Sequence, residues 1–177
     1  EAKRQGYGAV EYFRADMHDE RSHLLQLEQN LRHALERNEI EVVYQPIVRL
    51  ADRRLAGFEA LMRWRRGDSV LEPDSFVGLA EETGLIRELG RHVLKEATSR
   101  LGTWQRTFRP HDPLFVAVNI SSVQLLNNDL VEDIGRLMER EDLKPGTLKL
   151  ELTESLVVEN PELGRKLLVR LKQMGVA

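Results

Sequence analysis

From Leu85 to its last residue the chain alternates amphipathic helical segments with short apolar runs, and few folds accept that order. Leu85 to Phe108 places Ile86, Leu89, Val93, Leu94, Ala97, Leu101 and Trp104 at helical spacing. Pro110 and Pro113 break the chain before an apolar run, Leu114 to Ile120. Asp129 to Arg140 is helical again, Pro145-Gly146 is a turn, and Leu148 to Thr153 reads as a strand. Asn160-Pro161 has the form of an N-cap followed by proline at the first helical position. The helix it opens runs to Met174 and stops at Gly175, and Val176-Ala177 is the first step of a further strand. Strands joined through single helices by short links predict right-handed βαβ units and a parallel sheet.

The part before Leu85 is different. Gly6 and Gly8 precede the run Ala9-Val10-Glu11-Tyr12-Phe13, which is too small to fold alone. A helix is predicted from Asp19, its N-cap, with Leu24, Leu27, Leu31, Ala34 and Leu35 on one stripe that suits core or interdomain packing, or a coil between two copies. Val42 to Val48 is rich in β-branched and aromatic residues, and Pro46 must end it, bend it or sit where no N–H is needed. A turn at Asp52-Arg53-Arg54 leads to a second strand, Leu55 to Leu61, and the two suit a hairpin. Pro73-Asp74-Ser75-Phe76 opens a short helix with Asp74 as cap, and Gly84 closes it.

Composition excludes more than it assigns. The 177 residues suffice for one domain with a small appendage, and 41% hydrophobic against 31% charged is an ordinary globular balance. A net charge of -3 argues against nonspecific DNA binding. With no cysteine, disulfides, thiolate metal sites and a cysteine nucleophile are excluded. The five histidines lack ligand spacing. No apolar run reaches membrane-spanning length and no signal pattern opens the chain, so a cytoplasmic location is expected, with an anchor elsewhere in a longer protein compatible with it.

Three strands carry oxygen-bearing side chains near their ends. Glu59 lies near the end of the second strand, Asn119 and Ser121 close the run Phe115 to Ser121, and Glu151 and Glu154 lie in Leu148 to Glu154. Singly, each has a plainer use. Glu59 suits a surface ion pair, Asn119 a strand-end turn, Glu151 a solvent face, and Arg63 an ion pair. Together they point to one shared site. Glu151 lies between Leu150 and Leu152, and if helices cover one face of its strand it points to the other.

Five blocks, in order, resemble the EAL domain family of cyclic di-GMP phosphodiesterases. They are Tyr44-Gln45-Pro46-Ile47-Val48, Gly57-Phe58-Glu59-Ala60-Leu61 with Arg63-Trp64, Phe76-Val77 with Ala80-Glu81-Glu82-Thr83-Gly84-Leu85-Ile86, Val118-Asn119-Ile120-Ser121, and Leu150-Glu151-Leu152-Thr153-Glu154-Ser155. The opening Ala2-Lys3-Arg4-Gln5-Gly6 with Val10-Glu11-Tyr12-Phe13 is similar to the tail of a GGDEF domain. The implied division is a GGDEF-like tail at 1–17, a linker helix at 18–38 and the first half of an EAL domain at 39–177. The resemblance implies a TIM-like (β/α) barrel with an antiparallel first strand, its site at the C-terminal strand ends. It implies Glu59, Asn119 and Glu151 as ligands of Mg²⁺ or Mn²⁺, since oxygen donors suit these ions better than zinc. Two ions roughly 3.5–4 Å apart would acidify a water and offset charge on phosphate and leaving oxygen. Arg63 corresponds to a phosphate contact, Gln45 and Leu61 to substrate contacts, and Glu154 to a residue that orders the site from behind. The product would be linear pGpG. The alternative is a catalytically silent cyclic di-GMP receptor that signals through the helix at Asp19 to Leu35. Implied partners are cyclic di-GMP, upstream GGDEF or sensor domains, and a second copy, but no DNA.

In the family an Asp-Asp-Phe-Gly block that completes both metal sites, and a later lysine near the attacking water, follow the position of Ala177. No catalytic lysine is therefore assigned within residues 1–177. Incubated alone with cyclic di-GMP and Mg²⁺ or Mn²⁺, these residues are expected to leave it essentially uncleaved, as read by chromatography. Full turnover without any partner would overturn that expectation.

Overall fold

The structure, a computed structural model, describes residues 15–108, 113–125, 128–152 and 161–177. The GGDEF-like run Ala9 to Phe13, Glu154 and the Asn160 cap lie outside the described residues. The first helix, α1, spans Ala15–Ala34 and so begins before Asp19, which lies within its first turns. It turns off one residue early, where the Glu39 N–H reaches back to the Ala34 carbonyl at 2.8 Å. Asn38 supplies the positive φ of 54° that this reversal needs, a conformation asparagine tolerates well.

Strand β1, Ile40–Val48, pairs antiparallel with β2, Leu55–Arg66, as the predicted hairpin. Pro46 stays inside β1, opposite Phe58, just before the register slips between Ile47 and Val48. β1 is an outer strand of the described sheet, where half of the N–H groups have no neighbour to serve. β2 runs five residues past its predicted end at Leu61. β1 pairs with it as far as Trp64, and the short strand β3, Ser69–Leu71, folds back on Trp64 to Arg66. This extension was not expected, because charged Arg63, Arg65 and Arg66 do not look like strand interior.

A 3₁₀ turn at Pro73–Ser75 precedes α2, Val77–Thr83. Asp74 lies within that turn and caps nothing; Glu72 and Phe76 occupy the cap positions, without side-chain cap bonds. Gly84 closes α2 in the left-handed region at φ 78°, as expected. Helix α3, Ile86–Phe108, then crosses to β4, Phe115–Ile120, which pairs parallel with β2. After β4 come α4, Ser122–Leu125, and α5, Asn128–Arg140, then β5, Leu148–Leu152, parallel to β4. The final helix α6 is Pro161–Gln173. Ala177 then donates to the Leu148 carbonyl at 3.0 Å and accepts from the Leu150 N–H at 2.9 Å, so the predicted next strand does begin against β5. The strand order is β1-β2-β4-β5, with β3 on β2. An antiparallel first strand followed by parallel βαβ units is the expected barrel beginning. No helix among the described residues is long and apolar enough to cross a membrane.

One face of this sheet is dry. Val116, Val118, Ile120, Leu148 and Ala60 are buried against α3, α5 and α6, together with Leu94, Leu101, Ile134 and Leu167. A second cluster sets Trp64 and Phe76 among Leu31, Ala34, Ile86 and Leu89, which ties α1 to the far end of β2. The fully buried Trp64 donates its indole N–H to Glu39 at 3.1 Å. Trp104 packs on Phe58 and Tyr44 at 4.4 and 5.0 Å between centroids. Both tryptophans are thus packing groups. Burial raises the Tyr44 phenol above its usual range, opposed by the nearby Arg100 guanidinium.

The tightest backbone approach is at Gly57, where a Cβ would lie 2.4 Å from the Phe115 carbonyl oxygen. β2 and β4 can pair at this point only without a side chain. Gly57→Ala is expected to lower stability by about 1–3 kcal/mol in urea unfolding. An unchanged midpoint and slope would contradict the close approach.

Candidate functional site

The burial of Val118, Ile120 and Leu148 decides where the polar residues of the same strands go. Side chains alternate along a strand, so Asn119 and Glu151 stand on the opposite, open face. Both are exposed, and they sit directly opposite one another in the β4–β5 register. Glu59 shares that face, because it registers with Ala117 on β4, two residues before Asn119. The Asn119 amide donates through Nδ2 to Glu59 Oε1 at 2.8 Å. Three oxygen-bearing side chains from β2, β4 and β5 therefore meet on one face. The expectation that Glu59 lies near the end of its strand needs correction: it lies mid-β2. It does lie near the end of the parallel ladder, which runs only from Gly57 to Ala60 on β2.

Asn119 and Glu151 line a cleft of about 580 Å³ together with Leu61, Asp74, Glu81, Ser121 and Gln124. Apolar walls come from Pro73, Val77, Ile86 and Leu152, among others. Asp74, Glu81 and Glu151 give the wall negative charge, and none of the described lining residues is Lys or Arg. Such a wall attracts a cation and repels a bare anion.

The remaining expected residues sit around this core. Leu61 lines the cleft. Gln45 registers opposite Glu59 on the outer strand and is exposed. Arg63 follows Glu59 and Leu61 on the same strand face at two-residue steps. It is mostly buried, donates Nη1 to the Met62 carbonyl at 2.9 Å, and holds the exposed Glu72 at 3.0 Å. This is the ion pair that the plainer reading of Arg63 suggested. A pair with so exposed a partner is worth about 0–1 kcal/mol, so a phosphate could replace Glu72 at little cost.

Several lining residues were not singled out from the sequence. Asp74 has the residue type of a helix cap, and Glu81 stands only in the third resemblance block. Ser121-Ser122-Val123-Gln124 is a legible signal, the Ser-x-x-Gln of a capping box.

The donor set suits a divalent cation. Two carboxylates and an amide offer only oxygen ligands. Among the described residues no group of three or more His, Cys, Asp and Glu could hold a metal. A set of one or two carboxylates suits Mg²⁺, which keeps several waters and completes its shell with substrate phosphate.

Residues 28–177 match the EAL domain family. The match begins inside α1. An uncharacterized signaling protein of Caulobacter vibrioides is 36% identical over 99% of this chain. MucR of Pseudomonas aeruginosa, a bifunctional diguanylate cyclase/cyclic di-GMP phosphodiesterase, is 35% identical over 99%. The chain spans 21% and 25% of these two proteins' lengths. The fold is similar to that of the PaMucR phosphodiesterase in its cyclic di-GMP complex, with a TM-score of 0.80 and 36% identity. That likeness covers 86% of this chain and 61% of the other.

The Glu59–Asn119 hydrogen bond predicts an energetic coupling. A double-mutant cycle with Glu59→Ala and Asn119→Ala, each of which removes one partner of the bond, followed by urea unfolding, is expected to give about 1 kcal/mol. A coupling near zero would mean that the open face is not preorganised.

Proposed function

We propose that this chain, which belongs to the EAL domain family, carries the first ligands of a divalent-metal site that opens cyclic di-GMP to linear pGpG. The observation that carries this reading is the meeting of Glu59, Asn119 and Glu151 on one open strand face, two of them already hydrogen-bonded at 2.8 Å. MucR, named above both as a curated relative and as a solved structure, acts on and binds cyclic di-GMP by its own descriptions, which supports the choice of substrate.

Glu59, Asn119 and Glu151 would hold Mg²⁺ or Mn²⁺. When bound, such an ion supplies an acidified water and positive charge beside the phosphodiester. The protein supplies the rest. The acidic wall concentrates the cation, and without the cation it would repel the phosphates. Arg63 donates one nitrogen to the Met62 carbonyl and pairs the other with Glu72, and its fork suits a phosphate oxygen in place of that carboxylate. Leu61 contributes apolar contact in the cleft, and Gln45 offers an amide beside Glu59. Glu154, outside the described residues, would order the site from behind. The GGDEF-like segment at 1–17 and the linker at 18–38 would connect the domain to an upstream partner.

The intact protein with Mg²⁺ or Mn²⁺ should convert cyclic di-GMP to pGpG, and EDTA should stop it, as read by chromatography. Glu59→Ala should cost on the order of 100-fold in kcat. Arg63→Ala should raise KM more than it lowers kcat. Tight binding with no turnover would sink the enzymatic reading and favour a silent receptor.

A further inference from the structure

Gln124 is 4% exposed, yet its amide nitrogen has no hydrogen-bond partner, and neither has the buried hydroxyl of Ser121. Its amide oxygen is engaged: it accepts the Ser121 backbone N–H at 2.9 Å. The Ser121 carbonyl in turn accepts the N–H groups of Gln124 and Leu125 at 3.1 and 3.3 Å. Both backbone groups of Ser121 are thus held by the turn that leaves β4, two residues after Asn119.

The motif is half of a capping box. A complete box would use the serine hydroxyl on the turn as well as the glutamine amide. Here the hydroxyl is buried and unpaired. The fold also makes room for the glutamine. A Cβ on Gly90 of α3 would fall 1.6 Å from Gln124 Nε2 and 2.8 Å from Cδ. A helix interior gives up stability by using glycine, and a buried unpaired amide is less stable than an apolar side chain of the same shape. Both concessions serve one contact, the clamp on Ser121.

We infer that Gln124 is a positioning residue for Asn119: seated against Gly90, it locks the turn after β4 so that the Asn119 side chain stays against Glu59 at the height of Glu151. The inference rests on the metal-site reading above. Gln124 lines the same cleft as Asn119 and Glu151, but its hydrogen bond goes to Ser121 rather than to a proposed ligand. It acts through the backbone of Ser121, and Ile120 between them is held by its own burial at 2% exposure. The role differs from plain helix capping in its readout: capping sets stability, whereas positioning sets ion affinity.

The test is Gln124→Met in the intact protein, a swap of similar length that removes the acceptor. Backbone hydrogen exchange at Ser121 should speed up, and the Kd for Mn²⁺, read by electron paramagnetic resonance, should rise about tenfold. With cyclic di-GMP, kcat should fall more than KM rises. Gly90→Ala, whose methyl would displace the amide while leaving the Gln124 residue itself unsubstituted, should raise the Mn²⁺ Kd likewise. Ile134→Val, in the core away from the site, controls for general softening. A Mn²⁺ Kd in either variant that moves no further than in Ile134→Val overturns the inference. Glu59→Ala in the same titration separates the two readings. If it weakens Mn²⁺ binding and Gln124→Met does not, only the clamp fails. If it has no effect, the metal site fails and the clamp with it.

Discussion

The parallel ladder of β2, β4 and β5 is the element on which the rest depends. Its helix-facing side is filled by Ala60, Val116, Val118, Ile120 and Leu148. Because side chains alternate with a period of two, that burial leaves Glu59, Asn119 and Glu151 no choice of face. A one-residue slip of β4 would bury the Asn119 amide and expose Val118 and Ile120, at a cost of several buried aliphatic groups of about 1.5–3 kcal/mol each. The apolar core thereby sets the height and direction of the polar group.

The antiparallel start adds a second constraint. β1 and β3 keep β2 extended far beyond its parallel pairing, so Leu61 and Arg63 stay in line with Glu59 on one face. The corner is anchored from behind by Trp64, Phe76 and the Glu39 carboxylate. Where the chain uses glycine in unfavourable places, space is the reason. Gly57 admits the Phe115 carbonyl, and Gly90 admits the Gln124 amide.

Much of this was legible in the residues. The helical stripe of α3, the turn at Pro145-Gly146 and the cap at Gly84 follow from local chemistry, and each formed where expected. So did the start of a strand at Ala177. Misses came where tertiary pairing overrode local preference. Arg63, Arg65 and Arg66 do not look like strand interior, but β1 and β3 hold them there, with Glu41 gripping Arg65 at 2.6 and 2.9 Å. Asp74 has the composition of a cap, and the proline before it sets a 3₁₀ turn instead. For the site, residue types and strand positions were visible in the sequence. The Glu59–Asn119 bond and the Gly90–Gln124 fit were not, because each joins residues far apart in the chain.

The most direct measurement is anomalous scattering from crystals of the intact protein soaked in Mn²⁺. The account predicts a peak within coordination distance of Glu59, Asn119 and Glu151, lost in Glu59→Ala crystals. A peak elsewhere, or none at millimolar Mn²⁺, would contradict it.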